Sequence, residues 1–106
     1  MVGNHSFLEK IKNIGKAVLP KGAALWLYGS RARGTAHDGS DWDLLILLDK
    51  EKREASDFDQ YVAPLIDLGF QYDELVMPHL YTYKQWKTYS FSPFEKNVEK
   101  DKIVLI

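Results

Sequence analysis

The residues able to do chemistry together lie between 29 and 43, Gly-Ser-Arg-Ala-Arg-Gly-Thr-Ala-His-Asp-Gly-Ser-Asp-Trp-Asp. Gly29-Ser30 follows a short apolar run and is read as opening a helix, where backbone N–H groups point outward unpaired and attract an anion. Arg31 and Arg33 fall in the same turn and carry planar donors suited to phosphate oxygens. Asp41 and Asp43 are one residue apart at the head of a second apolar run. In a strand the period of two puts both carboxylates on one face. Held together there they repel, and a divalent cation removes the conflict. Mg²⁺ in particular takes one or two carboxylates plus substrate phosphates. A phosphate cradle beside a metal perch reads as nucleotide chemistry. Taken singly, a Gly-Ser-Arg loop is commonly a solvated turn and an Asp-x-Asp pair a strand edge. Their ordered combination is what points to a site.

The flanking sequence supplies the elements that must position these groups. Phe7, Ile11, Ile14 and Val18 recur at spacings of four, three and four and predict a helix. Ser6 and Glu9 read as its capping box, and Pro20 and Gly22 as its end. Ala23–Tyr28 predicts a buried strand. Asp41–Asp49, nearly all apolar after its first residues, predicts a strand covered on both faces in the sheet centre. Phe58, Tyr61, Val62, Leu65 and Ile66 predict a second helix, kinked or shortened by Pro64 and ended by Gly69. A third strand is expected over Phe70–Met77, interrupted by Asp73-Glu74, with Leu80–Tyr83 extending the sheet. Lys84–Tyr89 reads as a short helical turn. Ser92-Pro93-Phe94-Glu95 reads as the cap of a last helix of about one to two turns, and Ile103–Ile106 as an apolar tail. The order predicts an α/β (α+β) fold, a small mixed β-sheet with helices packed mainly on one face.

Length and composition narrow the rest. At 106 residues the chain is read as a single domain, 1–106, with 45% hydrophobic residues to fill a modest core. A net charge of −1 argues against a dedicated nucleic-acid binder, which is usually strongly basic. The absence of cysteine excludes disulfides, thiolate metal sites and thiol nucleophiles. Leu44–Leu48 is far short of the roughly 20 apolar residues of a membrane helix. No signal-peptide pattern begins the chain, so Asn4-His5-Ser6 is read as a chance match to the glycosylation pattern and the cytoplasm as the expected location.

Gly29-Ser30, ten intervening residues and Asp41-Trp42-Asp43, with an apolar strand on each side, resemble the signature of the nucleotidyltransferase superfamily that shares the polymerase-beta fold. The small size is similar to that of its minimal, MNT-type members, many of which are antitoxin partners of HEPN-domain proteins. The resemblance is strong over residues 25–48, weaker to about residue 80, and unreadable at both ends. It implies a polymerase-beta-like fold and Mg²⁺-dependent transfer of NMP from an NTP, ATP foremost, to a hydroxyl, with pyrophosphate leaving. It assigns nucleotide binding to Gly29, Ser30, Arg31, Arg33 and Ser40, and two Mg²⁺ ions to Asp41, Asp43 and a third carboxylate. That third acid is Asp73 or Glu74. Glu74 is favoured because two apolar residues follow it, as they follow the acid in the family.

Other patterns carry less. Gly29-x4-Gly34 lacks the lysine of a P-loop, and the aspartyl-phosphatase pair follows an apolar strand rather than preceding one. His5, His37 and His79 match no zinc-ligand spacing. His37-Asp38 is read as a solvated loop. Tyr81, Tyr83, Trp86, Tyr89, Phe91 and Phe94 are read mainly as packing, and the mixed charges of residues 84–102 as a solvated face. Two functions follow: an enzyme acting on a protein hydroxyl or a small molecule (an RNA end being least favoured), or a non-catalytic antitoxin that binds a HEPN-type partner. A chain this short is expected to have its acceptor site completed by a partner or a second copy of itself.

Overall fold

The computed structural model describes the backbone of residues 2–106 and the side chains of residues 6–106; the side chains of Asn4 and His5 lie outside them. Helix α1 (Val2–Val18) leads into strand β1 (Ala24–Tyr28), and the short helix α2 (Ser30–Arg33) leads into β2 (Trp42–Leu48). Helix α3 (Ala55–Asp57), a π turn (Phe58–Val62) and α4 (Ala63–Gln71) form one helical stretch. Strand β3 (Val76–Thr82), helices α5 (Tyr83–Lys87) and α6 (Pro93–Asp101), and strand β4 (Ile103–Val104) complete the chain.

The four strands form one mixed sheet in the order β3-β2-β1-β4, with β1 antiparallel to β2 and β4, and β2 parallel to β3. The apolar run of β2 therefore lies in the interior of the sheet, as its composition requires. Alternation sorts its side chains into two layers. Leu44, Ile46 and Leu48 join Leu25 and Leu27 of β1, covered by Phe7 and Ile11 of α1 and Leu65 and Leu68 of α4. Leu45 and Leu47 join Trp26, covered by Trp86 of α5 and Val98 of α6. Helices α1 and α4 share one face, and α5 and α6 close the other, so helices cover both faces of the sheet.

Several boundaries differ from the sequence expectation. Helical backbone begins at Val2, so Ser6 lies inside α1 rather than capping it. Pro64 breaks nothing: it stands in the first turn of α4, where its missing N–H is tolerated, and the π turn before it absorbs the change, with Ala63 N–H bonded to Phe58 O. Gly69 does not end the helix, which runs to Gln71. Its lack of a side chain serves close approach instead, because a Cβ there would lie 2.5 Å from the Glu74 carbonyl oxygen. Asp73 adopts the left-handed turn (φ 55°) that lets Glu74 N–H return to Gly69 O at 2.8 Å. Strand β3 consequently starts at Val76, not Phe70, and Leu80–Thr82 is its second half. The apolar tail pairs as the edge strand β4.

One buried charge braces the helical stretch. Asp57, 2% exposed, accepts from Lys50 Nζ at 2.8 Å and from the Glu54 backbone N–H at 2.7 Å. Burial alone would push its carboxyl up, but these bonds and the Lys50 charge hold it below the ordinary 3.8. Its stabilising contribution is therefore present above that value and lost as pH falls through the folded-state value. Asp57→Asn is expected to lower stability by about 1–2 kcal/mol at neutral pH in urea unfolding. The deficit should shrink on acidification, and a pH-independent deficit would contradict the ionic assignment.

Candidate active site

The site assembles where β1 ends and β2 begins. Gly29 turns the chain out of β1 with φ 75° and ψ −159°, and its carbonyl accepts the N–H groups of Ala32 and Arg33. Ser30, half-buried, opens α2. Antiparallel pairing sets Tyr28 opposite Asp43, and the Asp43 carboxylate packs directly on Gly29, so that a Cβ there would collide with Oδ2. The close approach explains why glycine stands at this position.

Asp41, exposed, precedes the strand, and Asp43, half-buried, is its second residue. Burial raises the Asp43 carboxyl above its ordinary value, and the Asp41 charge raises it further, while His79 and Arg33 pull it partly back. The Tyr28 hydroxyl is pushed up to about 12 by burial, then by Asp43 and Tyr81, so it remains a neutral phenol at neutral pH. Negative charge here is only partly relieved by the chain's own cations.

The other residues expected at the site each have partners within the chain. Arg33 extends toward α6 and bonds Asp101 Oδ2 at 3.0 Å. Ser40 organises the loop before Asp41: its hydroxyl accepts the His37 N–H, and its own N–H bonds the His37 carbonyl, both at 3.0 Å. Arg31 is turned inward, with Nε and Nη2 on Ser40 O and its guanidinium over the Trp42 ring. Glu74 lies in the loop before β3, not on a strand, and its Oε1 accepts the Trp42 indole N–H at 3.0 Å. Trp42 packs into the α1 layer against Phe7, opposite in alternation to Asp43. Glu74 therefore stands on the other side of β2 from the Asp43 carboxylate. Asp73 is exposed at the helix end. Among the described residues, no three of His, Asp and Glu gather closely enough to hold a metal ion.

On the Asp43 face, β3 instead presents Met77, level with Asp43, and His79, level with Leu45. His79 lies between the rings of Tyr28 and Phe94, at 6.3 and 6.4 Å. Its spacing in the sequence assigns it no role. The signal for it is the parallel register of β3, which spacing within β3 alone does not contain.

The nucleotidyltransferase domain family matches residues 8–105 of this chain. The chain belongs to that family. A solved structure described as a toxin-antitoxin with AMP-PNP is similar to this nucleotidyltransferase domain with a TM-score of 0.63 at 22% identity, covering 93% of this chain and 72% of that one. At that identity the likeness is one of fold. No curated protein matches the chain. Among the described residues, no helix of this nucleotidyltransferase domain is long and apolar enough to cross a membrane.

Proposed function

We propose that this nucleotidyltransferase domain transfers NMP from an NTP, ATP foremost, to a hydroxyl of a protein side chain or small molecule. A bond forms between the acceptor oxygen and the α-phosphorus, the α–β bridging bond breaks, pyrophosphate leaves and the hydroxyl proton is released. The observation that carries the reading is the placement of Asp41 and Asp43 at the head of β2, with the Asp43 carboxylate against Gly29 at the start of α2. The donor set suits a hard divalent cation: two carboxylates, one pushed toward protonation by burial and by the other's charge. Asp41 and Asp43 would hold Mg²⁺, which would supply neutralisation of the phosphate charge that develops during transfer. Ser30 would contact the triphosphate, Gly29 leaves room for the Asp43 carboxylate at the turn, and Arg33 lends positive potential beside Asp43. Tyr28 stays protonated as a donor.

A second reading, a non-catalytic antitoxin binding a HEPN-type partner, is favoured by one observation: Met77 and His79, not a carboxylate, face Asp43 from β3. In either reading a partner or a second copy of the chain would complete the acceptor side.

Calorimetric titration of ATP, GTP, CTP and UTP into the protein, with Mg²⁺ and with chelator, tests the first reading. At least one NTP is expected to bind, only with the metal present. A folded protein that binds none of the four overturns it for this chain. Retention of partner neutralisation by Asp41→Asn would select the second.

A further inference from the structure

We infer that Arg31 is a positioning residue for Asp41, acting through the Ser40 carbonyl, and that Glu74 belongs to the same brace rather than to the metal ligands. This rests on the metal–nucleotide reading of Asp41 and Asp43. The Arg31 side chain is 4% exposed. Its Nε and Nη2 both donate to Ser40 O, at 3.3 and 2.9 Å, and its Cζ lies 4.3 Å from the centre of the Trp42 ring. Ser40 and Trp42 are the residues immediately before and after Asp41, so one guanidinium grips both neighbours of the exposed carboxylate. Behind it, Glu74 Oε1 accepts from Trp42 Nε1 at 3.0 Å and stands 3.7 Å from Arg31 Nη2. Phe7 backs the indole at 5.1 Å between ring centres. A forked charged donor and a cation–π contact, both shielded from water, fix geometry that a flexible ammonium could not. The loop between α2 and Asp41 is rich in small, exposed residues, and this grip ties its end to the start of β2.

Two readouts separate this role from the direct phosphate contact that sequence alone suggests. The first is Mn²⁺ binding to the nucleotide-free protein, followed by electron paramagnetic resonance; the second is Mg²⁺·ATP binding. Removing a cation beside a metal site strengthens metal binding on electrostatic grounds alone. Positioning predicts the opposite: Arg31→Ala should bind Mn²⁺ about 10-fold more weakly, the size of loss seen when support behind a ligand is removed. Arg31→Lys should fall between this variant and wild type, and it decides the matter should Arg31→Ala not fold. Glu74→Gln, which keeps an acceptor for the indole, should weaken Mn²⁺ by no more than about 3-fold, against roughly 100-fold or more for a lost ligand, beyond the loss of a supporting group. Unchanged or tighter Mn²⁺ binding in the folded Arg31 variants overturns the brace. So does a ligand-sized loss in Glu74→Gln. Wild type that binds neither Mn²⁺ nor Mg²⁺·ATP overturns the underlying metal–nucleotide reading instead.

Discussion

Asp43→Asn is expected to weaken Mg²⁺·NTP binding and any nucleotidyl transfer by about 100-fold or more, because charge stabilisation by a bound metal is worth several kcal/mol. The same substitution is expected to raise stability in the absence of metal. The Asp43 carboxyl titrates above its ordinary value through burial and through Asp41. Ionising it is thus harder in the folded chain than in the unfolded one, and its charge opposes folding at neutral pH. The gain from Asn should grow as pH rises through the raised value and vanish at low pH, where the wild-type carboxyl is neutral in both states. Asp41→Asn should show a stability change of the same sign, since it removes one of the charges acting on Asp43. Thermal unfolding of the metal-free variants beside calorimetry with Mg²⁺·ATP checks both halves. A variant that loses binding and stability together would assign Asp43 a structural role and remove the main support for the metal site. The opposed pair of effects is what a site that holds charge in conflict until its ligand arrives should give.

How far the sequence foretold the molecule depended on whether the deciding interaction was local. The strand β2 was legible because a continuous apolar run demands cover on both faces; Asp41, expected inside that strand, lies just before it, and its nearness to Asp43 shows in the charge it exerts there. The end of α4 was not legible. Gly69 looks like a stop in one dimension, whereas its role is to let the Glu74 carbonyl pass close by, and Asp73 takes the left-handed turn instead. Two residues of error there carried Glu74 off the strand on which a third acid was expected. The packing of Arg31 was not legible for a related reason: its donors read as phosphate ligands in one dimension, and only the fold brings Ser40 and Trp42 around it. The aromatic density between residues 81 and 94 did pack as expected, with Trp86 in contact with the rings of Tyr81, Tyr89 and Phe94, although Phe91 is 90% exposed. Which group faces Asp43 across the sheet was settled only by the β2–β3 register.

Gly29→Ala is expected to be among the most damaging single-methyl changes in the protein. Two costs combine there. The backbone at φ 75° and ψ −159° lies in a region essentially reserved for glycine, and forcing alanine into it costs about 1–3 kcal/mol. The added Cβ also meets Asp43 Oδ2, so the carboxylate has to move off the position from which it would bind metal. Stability and Mg²⁺·NTP binding should therefore fall together, unlike in Asp43→Asn, where they part. Gly34 provides the control. It too has positive φ, 78°, but a Cβ there meets nothing within 4 Å, so Gly34→Asn, which tolerates the left-handed region, should cost no more than about 1 kcal/mol and spare binding. A double-mutant cycle then separates the two costs at position 29. In an Asp43→Ala background the collision is gone and the backbone strain remains, so Gly29→Ala should be less destabilising there by about 1 kcal/mol or more. Equal losses in both backgrounds, measured by urea unfolding, would leave backbone strain as the whole effect and detach Gly29 from Asp43. A smaller loss in the Asp43→Ala background would identify their contact as the point where the turn out of β1 and the metal-binding face of β2 are made to fit.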